Sequence, residues 1–361
     1  MPRLPGAVLH SEAAPFELEF GGCLEALEIA YEAHGTLAAK RDNAILICPA
    51  FSAHAHVRSH AGDFTPGWWE HMVGPGAAFD TERFFVICAS LIGSCYGTTG
   101  PLSIEPSRGA PYAGAFPVVT TRDMVAAHLR LVDHFGIETL HAVAGGSLGG
   151  MQALELGLRH PGRVRRVISV SGTDYTRPYT AAIRHIGRRA IMLDPRYQNG
   201  FYGDEPPVDG LRLARELGTL YYRSREEFNE RFKRQPIRPP SRDGLTFDVQ
   251  SYLDYQGRKV LSTFDVNAYL TLSLAMDLHD CSRGFASREA AFANATAEFL
   301  IVGVKEDRLI PVDEQREVYD QLIAARRRAE WWELSSPIGH DAFLVETAAI
   351  TPEFKRFLEP A

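Results

Sequence analysis

Hydrophobic and polar positions divide the chain into three regimes. In the first, Phe16-Glu17-Leu18-Glu19-Phe20 and Leu27-Glu28-Ile29-Ala30-Tyr31 alternate apolar and polar residues around Gly21-Gly22. That spacing predicts a hairpin at a sheet edge, after an irregular stretch over residues 1–15. Continuous apolar runs follow at Ala44-Ile45-Leu46-Ile47-Cys48, Phe84-Phe85-Val86-Ile87-Cys88, Leu140-His141-Ala142-Val143-Ala144 and Arg166-Val167-Ile168-Ser169-Val170. Met124, Val125, His128, Leu129 and Val132 recur at helical spacing and predict a helix over about Thr121–Phe135. Another helix is expected from Gly150 to about His160. Apolar strands alternating with helices predict a mostly parallel sheet with helices on both faces.

After Gly172 the pattern changes. Residues 173–295 lack strand runs and carry helical segments near Ile183–Leu193, Gly210–Leu220, Arg225–Lys233 and Asn267–Asp277. This region is expected to form a helical lid domain. Strand patterns return with Ala297–Gly303 and Ala329–Leu334, separated by a helix near Val312–Ala325. The expected organisation is therefore a core domain of residues 1–172 and 296–361, interrupted by a lid of residues 173–295.

Composition narrows the function classes. A length of 361 residues, 45% hydrophobic and 23% charged, suits a soluble globular protein with a substantial core. A net charge of −7, with scattered basic residues, argues against a nucleic-acid or anionic-membrane partner. No apolar stretch reaches membrane-spanning length, and Met1-Pro2-Arg3-Leu4-Pro5 lacks signal-peptide character. Five cysteines without metal-ligand spacing read as reduced thiols, so a cytoplasmic location is expected. His54, His56 and His60 share a loop with no evident carboxylate or thiol partner, and no metal is expected there.

The candidate chemistry sits at strand ends, where ligands bind in such sheets. Gly145-Gly146-Ser147-Leu148-Gly149 lies between an apolar strand and a helix, the context of a nucleophile elbow. Asp307 follows the strand ending at Gly303, and His340 follows the last strand. Ser147, Asp307 and His340 in that order match the α/β-hydrolase fold, with His340 taking the serine proton and Asp307 holding its tautomer. Each also has a plainer reading, as a turn serine, a helix-capping aspartate and a capping histidine, and Glu306 is an alternative acid. The backbone N–H groups of Leu148 and Phe51 are the candidate oxyanion donors.

Several further stretches carry a resemblance. They include Pro66-Gly67-Trp68-Trp69, Met72-Val73-Gly74-Pro75-Gly76, Gly93–Pro101, Phe116–Thr120, Gly145–Ala153, Tyr222-Arg223-Ser224, Tyr252–Gly257 and Gly339–Leu344. From about Phe16 to the C-terminus the chain resembles the homoserine O-acyltransferase family of α/β-hydrolase enzymes. The resemblance implies ping-pong transfer: acyl-CoA, a co-substrate and not a bound cofactor, acylates Ser147, and an amino-acid hydroxyl then takes the acyl group. It further implies that Arg223 holds the amino-acid carboxylate, that Asp341 binds its amino group, and that the lid forms a homodimer contact.

Three departures bear on the substrate. The family's Leu-Thr-Gly is Phe51-Ser52-Ala53 here, its Gly-Gly-Cys is Gly93-Ser94-Cys95, and its Arg-Phe-Asp-Ala-Asn is Thr263–Asn267. Added bulk at Phe51 and Ser94 favours the shorter acceptor serine, although one methylene is worth only about 1–3 kcal/mol. The expected activity is homoserine O-acylation, with acetyl ahead of succinyl. Serine O-acylation, ester or thioester hydrolysis, and a non-catalytic binding module are the alternatives.

Overall fold

The computed structural model describes residues 4–240, 242, 244 and 246–359. Eight strands form the central sheet: β1 (Val8–Glu12), β2 (Leu27–His34), β3 (Ala44–Cys48), β4 (Phe85–Ala89), β5 (Leu140–Gly146), β6 (Val164–Val170), β7 (Glu298–Val304) and β8 (Ala329–Leu334). Their spatial order is β1-β2-β4-β3-β5-β6-β7-β8. Strand β2 runs antiparallel to β1 and β4, and every later neighbour is parallel. The sequence expectation of a mostly parallel sheet therefore holds from β4 onward.

The N-terminal edge differs from the reading above. Phe16–Glu17 does pair with Cys23–Leu24 around Gly21-Gly22, but as a separate two-residue ribbon. The sheet partner of β2 is β1, from Val8↔Tyr31 to Glu12↔Leu27, within the stretch read as irregular. Val8 and Leu9 are exposed on this edge, so β1 carries no buried face to leave a periodic signal.

Side-chain alternation along the strands fills two apolar layers. Leu46, Val143, Val167 and Ile301 pack with Met124 and Val125 of α1 (Thr121–His134), Leu154 of α2 (Leu148–Arg159), and Val318 and Leu322 of the helix Val312–Ala324. Ile45, Ile47, Ala142, Ala144, Ile168 and Val170 face the opposite way, against Trp69, Phe79 and the Phe354 side of the C-terminal helix. Burial on both faces is what makes these strands continuous apolar runs. Helix α1 begins with a capping box in which Thr120 and Asp123 each satisfy the other's backbone N–H.

Over the C-terminal ends of the strands lie α3 (Pro178–Met192), α4 (Val208–Tyr222), α5 (Arg225–Arg231), α6 (Asp248–Val260) and α7 (Val266–Asp277). Helix α3 packs on α4 and α7, and α4 packs on α6. Pro178 opens α3 five residues before the periodic signal at Ile183, where a missing N–H costs nothing. Arg184 of α3 pairs with Asp277 of α7 at 2.6 Å, and Arg212 of α4 pairs with Asp254 of α6 at 2.5 Å. Helix α8 (Arg288–Asn294), by contrast, packs against α2 and α9 (Val312–Ala324) of the core. The C-terminus adds α10 (Ala342–Val345) and α11 (Thr347–Leu358). Among the described residues no helix is long and apolar enough to cross a membrane.

Strand β5 and helix α2 meet at their shared turn with almost no space. A Cβ on Gly145 would lie 2.4 Å from the Gly149 carbonyl, and one on Gly149 would lie 2.2 Å from the Cys48 carbonyl oxygen. Backbone cannot move aside as a flexible side chain can. Gly149→Ala is therefore expected to destabilise the fold by about 3 kcal/mol. Gly162→Ala, at φ +83° in open space, should cost about 1 kcal/mol. Urea midpoints of the two variants compare them, and equal losses would refute the packing argument.

Candidate active site

Between β5 and α2 the chain turns on Ser147, whose φ of 57° and ψ of −122° are strained for a residue with a side chain. The turn is held from both sides. Ser147 N–H donates to the Val170 carbonyl at 2.9 Å, and the Ser147 carbonyl accepts from Met151 N–H at 3.0 Å. The strain lifts the hydroxyl out of the sheet edge, and Ser147 lines a cavity beneath the lid.

The three residues read from separate strand ends come together. His340 Nε2 lies 2.7 Å from Ser147 Oγ, and His340 Nδ1 lies 2.7 Å from Asp307 Oδ2. All three are buried. Asp307 Oδ1 accepts the N–H groups of Leu309 and Ile310 at 2.9 Å each, which fixes the carboxylate against rotation. Glu306, the alternative acid, is turned away: its carboxylate accepts from the Ser335 hydroxyl and Ser336 N–H, both at 2.8 Å. Burial opposes a charge on the His340 ring, but the charge and hydrogen bond of Asp307 outweigh it and raise the pKa above the usual histidine value.

Two glutamines complete the scaffold and were absent from the sequence reading. Gln315 of α9 donates to Asp307 Oδ2 at 3.2 Å and to the Ile310 carbonyl at 2.6 Å, and it accepts from Val304 N–H at 3.1 Å. Gln152 of α2 donates to the carbonyls of Pro49 and Leu148, tying the loop after β3 to the elbow. Both sit on buried helix faces. Gln315 shares its face with Val318 and Leu322, and a polar residue in such an apolar stripe was the available signal.

Leu148 opens α2 directly after the nucleophile, and Phe51 follows the neighbouring strand β3. Phe51 lines the cavity with Ala50 and Ser52. Its ring stacks on Phe264 at 5.5 Å and meets Tyr269 edge-on at 5.1 Å. Ser94 is buried but does not reach the cavity wall.

Arg223, which the resemblance implies holds the amino-acid carboxylate, pairs with acidic side chains of the protein. Its Nε is 3.5 Å from Asp341 Oδ2 and its Nη1 is 3.9 Å from Glu227, and the cavity wall does not include it. The whole Tyr222-Arg223-Ser224 stretch braces the histidine loop. Tyr222 stacks at 6.0 Å on the His340 ring, and the Ser224 hydroxyl donates to the Pro337 carbonyl. The arginines that do line the cavity are Arg184 and Arg215, two turns or more upstream on the lid. Arg215 lies 5.4 Å from the Tyr222 ring and pairs with no carboxylate among the described residues. Asp341 also lines the cavity; burial raises its pKa, against the charges of His340, Arg223 and Arg215. One cavity, with about 850 Å³ of space including its mouth, thus holds the Ser147–His340 pair, a carboxylate and two guanidinium groups.

This arrangement has close relatives. The model of the alpha/beta hydrolase fold matches residues 43–347. A homoserine O-acetyltransferase of Symbiobacterium thermophilum is 45% identical over 352 residues, covering 96% of this chain and 92% of that one. A serine O-succinyltransferase of Litchfieldella anticariensis is 43% identical over 351 residues, covering 95% and 96%. The solved structure of esterase E22 superposes with a TM-score of 0.91 at 28% identity, over 98% of this chain and 99% of that one. With identity of this order along nearly its whole length, the chain belongs to the homoserine/serine O-acyltransferase family of α/β-hydrolase enzymes.

Proposed function

We propose that the protein transfers an acyl group from acyl-CoA, through acyl-Ser147, to the side-chain hydroxyl of L-homoserine, with acetyl as the acyl group. The observation that carries this reading is the cavity itself, where the Ser147–His340 pair shares walls with Arg215 and Asp341. A guanidinium on one side and a carboxylate on the other match the two charged ends of a free amino acid. Ester hydrolysis requires neither.

In the first half-reaction Ser147 Oγ attacks the thioester carbonyl while its proton passes to His340 Nε2. Leu148 and Phe51 N–H groups are the proposed donors to the oxyanion. The tetrahedral intermediate collapses, the C–S bond breaks, and His340 returns the proton to the departing CoA sulfur. In the second half the acceptor hydroxyl loses its proton to His340 and attacks the acyl-serine. Collapse then releases Ser147, which recovers the proton. Asp307 holds the Nδ1–H throughout and stabilises the imidazolium. Anchoring the acceptor at both ends gives its hydroxyl a high effective concentration, against which water competes poorly.

A second reading, L-serine O-succinylation, is favoured by two particular features. The Phe51–Phe264–Tyr269 cluster fills space beside Ser147, which suits the shorter acceptor. Two cavity arginines exceed what one amino-acid carboxylate requires, and Arg184 Nη1 is buried with no hydrogen-bond partner among the described residues. A succinyl carboxylate matches it.

Steady-state assays of acetyl- and succinyl-CoA against L-homoserine, L-serine and L-threonine decide between the readings, with Ser147→Ala as the inactive control. The expected outcome is the highest kcat/KM for homoserine with acetyl-CoA, while CoA release without an amino acid stays slow. Preference for serine with succinyl-CoA selects the second reading. Release that is equally fast without any acceptor identifies a hydrolase.

Arg215→Ala should lower kcat/KM for the amino acid by about 30-fold or more through the loss of a charge-assisted contact. The KM for acyl-CoA should hardly change. Arg223→Ala, acting only through Asp341, should cost several-fold less, and the reverse order would return the carboxylate contact to Arg223.

His340 must be neutral to act as a base, and its pKa is raised by Asp307. The acidic limb of the kcat/KM profile should therefore lie above pH 6.5, with activity falling as pH drops through it. Asp307→Asn should move that limb to lower pH and reduce kcat by about 10⁴-fold. A limb that stays in place assigns the titration to another group.

A further inference from the structure

Away from the Ser147 cavity, a buried carboxylate is ringed by imidazoles. Glu32 and His34 come from β2, and His56 and His60 from the loop after β3. Glu32 Oε1 lies 3.1 Å from His56 Nδ1, and Glu32 Oε2 lies 3.1 Å from His60 Nε2 and 3.7 Å from His34 Nε2. Asp63 Oδ2 stands 4.0 Å from His56 Nδ1. The sequence reading had found no carboxylate for these loop histidines; the antiparallel strand β2 supplies it.

The tautomers make the cluster unusual. His56 Nε2 sits 2.7 Å from the Thr65 carbonyl, which can only accept, so that nitrogen carries a hydrogen. Nδ1 then stands 3.1 Å from both Glu32 oxygens, so either a second hydrogen on the ring or a metal ion must stand between nitrogen and carboxylate. His34 adds an independent sign. Its side chain is nine-tenths buried, 9% exposed, and its Nε2 has no hydrogen-bond partner among the described residues. Buried polar atoms are seldom left orphaned without a reason such as an ion.

We propose that Glu32, His34, His56 and His60 bind a divalent borderline transition metal, zinc in the first place. Three imidazoles and one carboxylate suit zinc, and four protein ligands describe a structural site with no open position. In a tetrahedral site the donor atoms stand about 3.3 Å apart. The ligand atoms of Glu32, His56 and His60 already lie within 4.8 Å of one another, and His34, outside that group, must move inward to complete the four. The Thr65 carbonyl is the outer partner that orients a metal-bound histidine.

His60 must adjust. Gly62 N–H donates to its Nδ1 at 3.1 Å, so its proton sits on Nε2, which lies 3.1 Å from Glu32 Oε2 without hydrogen-bond geometry. Coordination moves that proton to Nδ1 and turns the Gly62 amide away. The His60 side chain is 26% exposed and borders a surface cleft that also reaches Glu32, which provides an entry route. The other buried cluster of this kind, Glu155–His279–Cys281, is already satisfied. Glu155 takes Arg122 at 3.0 Å and Arg159 at 2.5 Å, and both His279 nitrogens have partners at 2.8 Å.

The test uses the tag-free full chain, stripped with chelator and titrated with ZnCl2 by calorimetry and with CoCl2 by visible absorption. One equivalent of each metal should bind, with the strong d–d bands of tetrahedral cobalt and a higher Tm in the presence of zinc. His34→Gln and His60→Gln should each weaken binding at least tenfold, with cobalt bands lost. Their metal-free Tm values establish that the variants fold, and His60, being partly exposed, keeps the test open should His34→Gln unfold. No binding by the wild type, or binding unchanged in a folded variant, overturns the assignment. The readout is independent of the acyl-transfer reading.

Discussion

Everything at the active edge depends on one backbone constraint, the approach of β5 to α2 around Ser147. The residue occupies a conformation that costs of order 1–3 kcal/mol for a side chain to adopt. It persists because neighbours on both sides overdetermine it. Gly145 and Gly149 remove the Cβ atoms that would hold strand and helix apart, and β6 receives the Ser147 N–H. The same turn points the start of α2 toward the cavity. From that helix Gln152 reaches back to Pro49 and sets the distance to the Phe51 loop. A relaxed turn would lower the local strain but withdraw the hydroxyl from His340, so strain and reactivity here share one cause.

Charge in the cavity is arranged by the lid. Arg184 and Arg188 converge on Asp277, which neutralises part of their charge and locks α3 to α7. Arg215 has no such partner among the described residues and is left to act on whatever enters. Asp341 lies among His340, Arg223 and Arg215; burial raises its pKa, and those groups oppose the rise only in part. In a site of low effective dielectric, such pairs discriminate strongly by sign. A group with a negative end would meet Arg215, whereas a neutral ester would leave that guanidinium without a carboxylate partner among the described residues; Asp341 already pairs with Arg223 at 3.5 Å. On the proposed function, the cost of leaving a buried charge unpaired would favour a zwitterionic acceptor.

The sequence made the core legible because parallel strands buried on both faces leave uninterrupted apolar runs. The meeting of Ser147, Asp307 and His340 followed, since strand ends are where such sheets place their chemistry. What escaped was whatever leaves no periodic trace. Strand β1 is exposed at an edge and carries no strong stripe. The choice between Arg215 and Arg223 was equally invisible. Both are on or next to α4, but Arg223 caps its C-terminal end in an extended conformation and turns toward the histidine loop. Only the helix's end point decides which guanidinium faces the cavity. Glu32 illustrates the same limit across a longer range: it meets His56 through a strand pairing that alternation alone cannot assign.

The loop after β3 joins these themes. An oxyanion donor acts only when it is held within a few tenths of an ångström of its working position, yet Phe51, the proposed donor, lies beyond the last ladder bond of β3. The loop's rigidity must therefore come from side chains and turns. The Ala53 N–H closes a turn on the Ala50 carbonyl at 3.0 Å, and the Ala55 N–H donates to Ser90 Oγ at 3.0 Å. Trp68 Nε1 donates to the His54 carbonyl at 2.8 Å, and two residues later His56 anchors on Glu32. Beyond the Ala53 turn, the anchors at His54, Ala55 and His56 lie successively farther along the chain from Phe51, and they reach Trp68, Ser90 and Glu32 in turn. A perturbation at Glu32 thus reaches the oxyanion position only after passing the tethers at Trp68 and Ser90. This series of tethers explains how one loop can carry a polar, adaptable cluster at its far end while its near end stays fixed enough for chemistry.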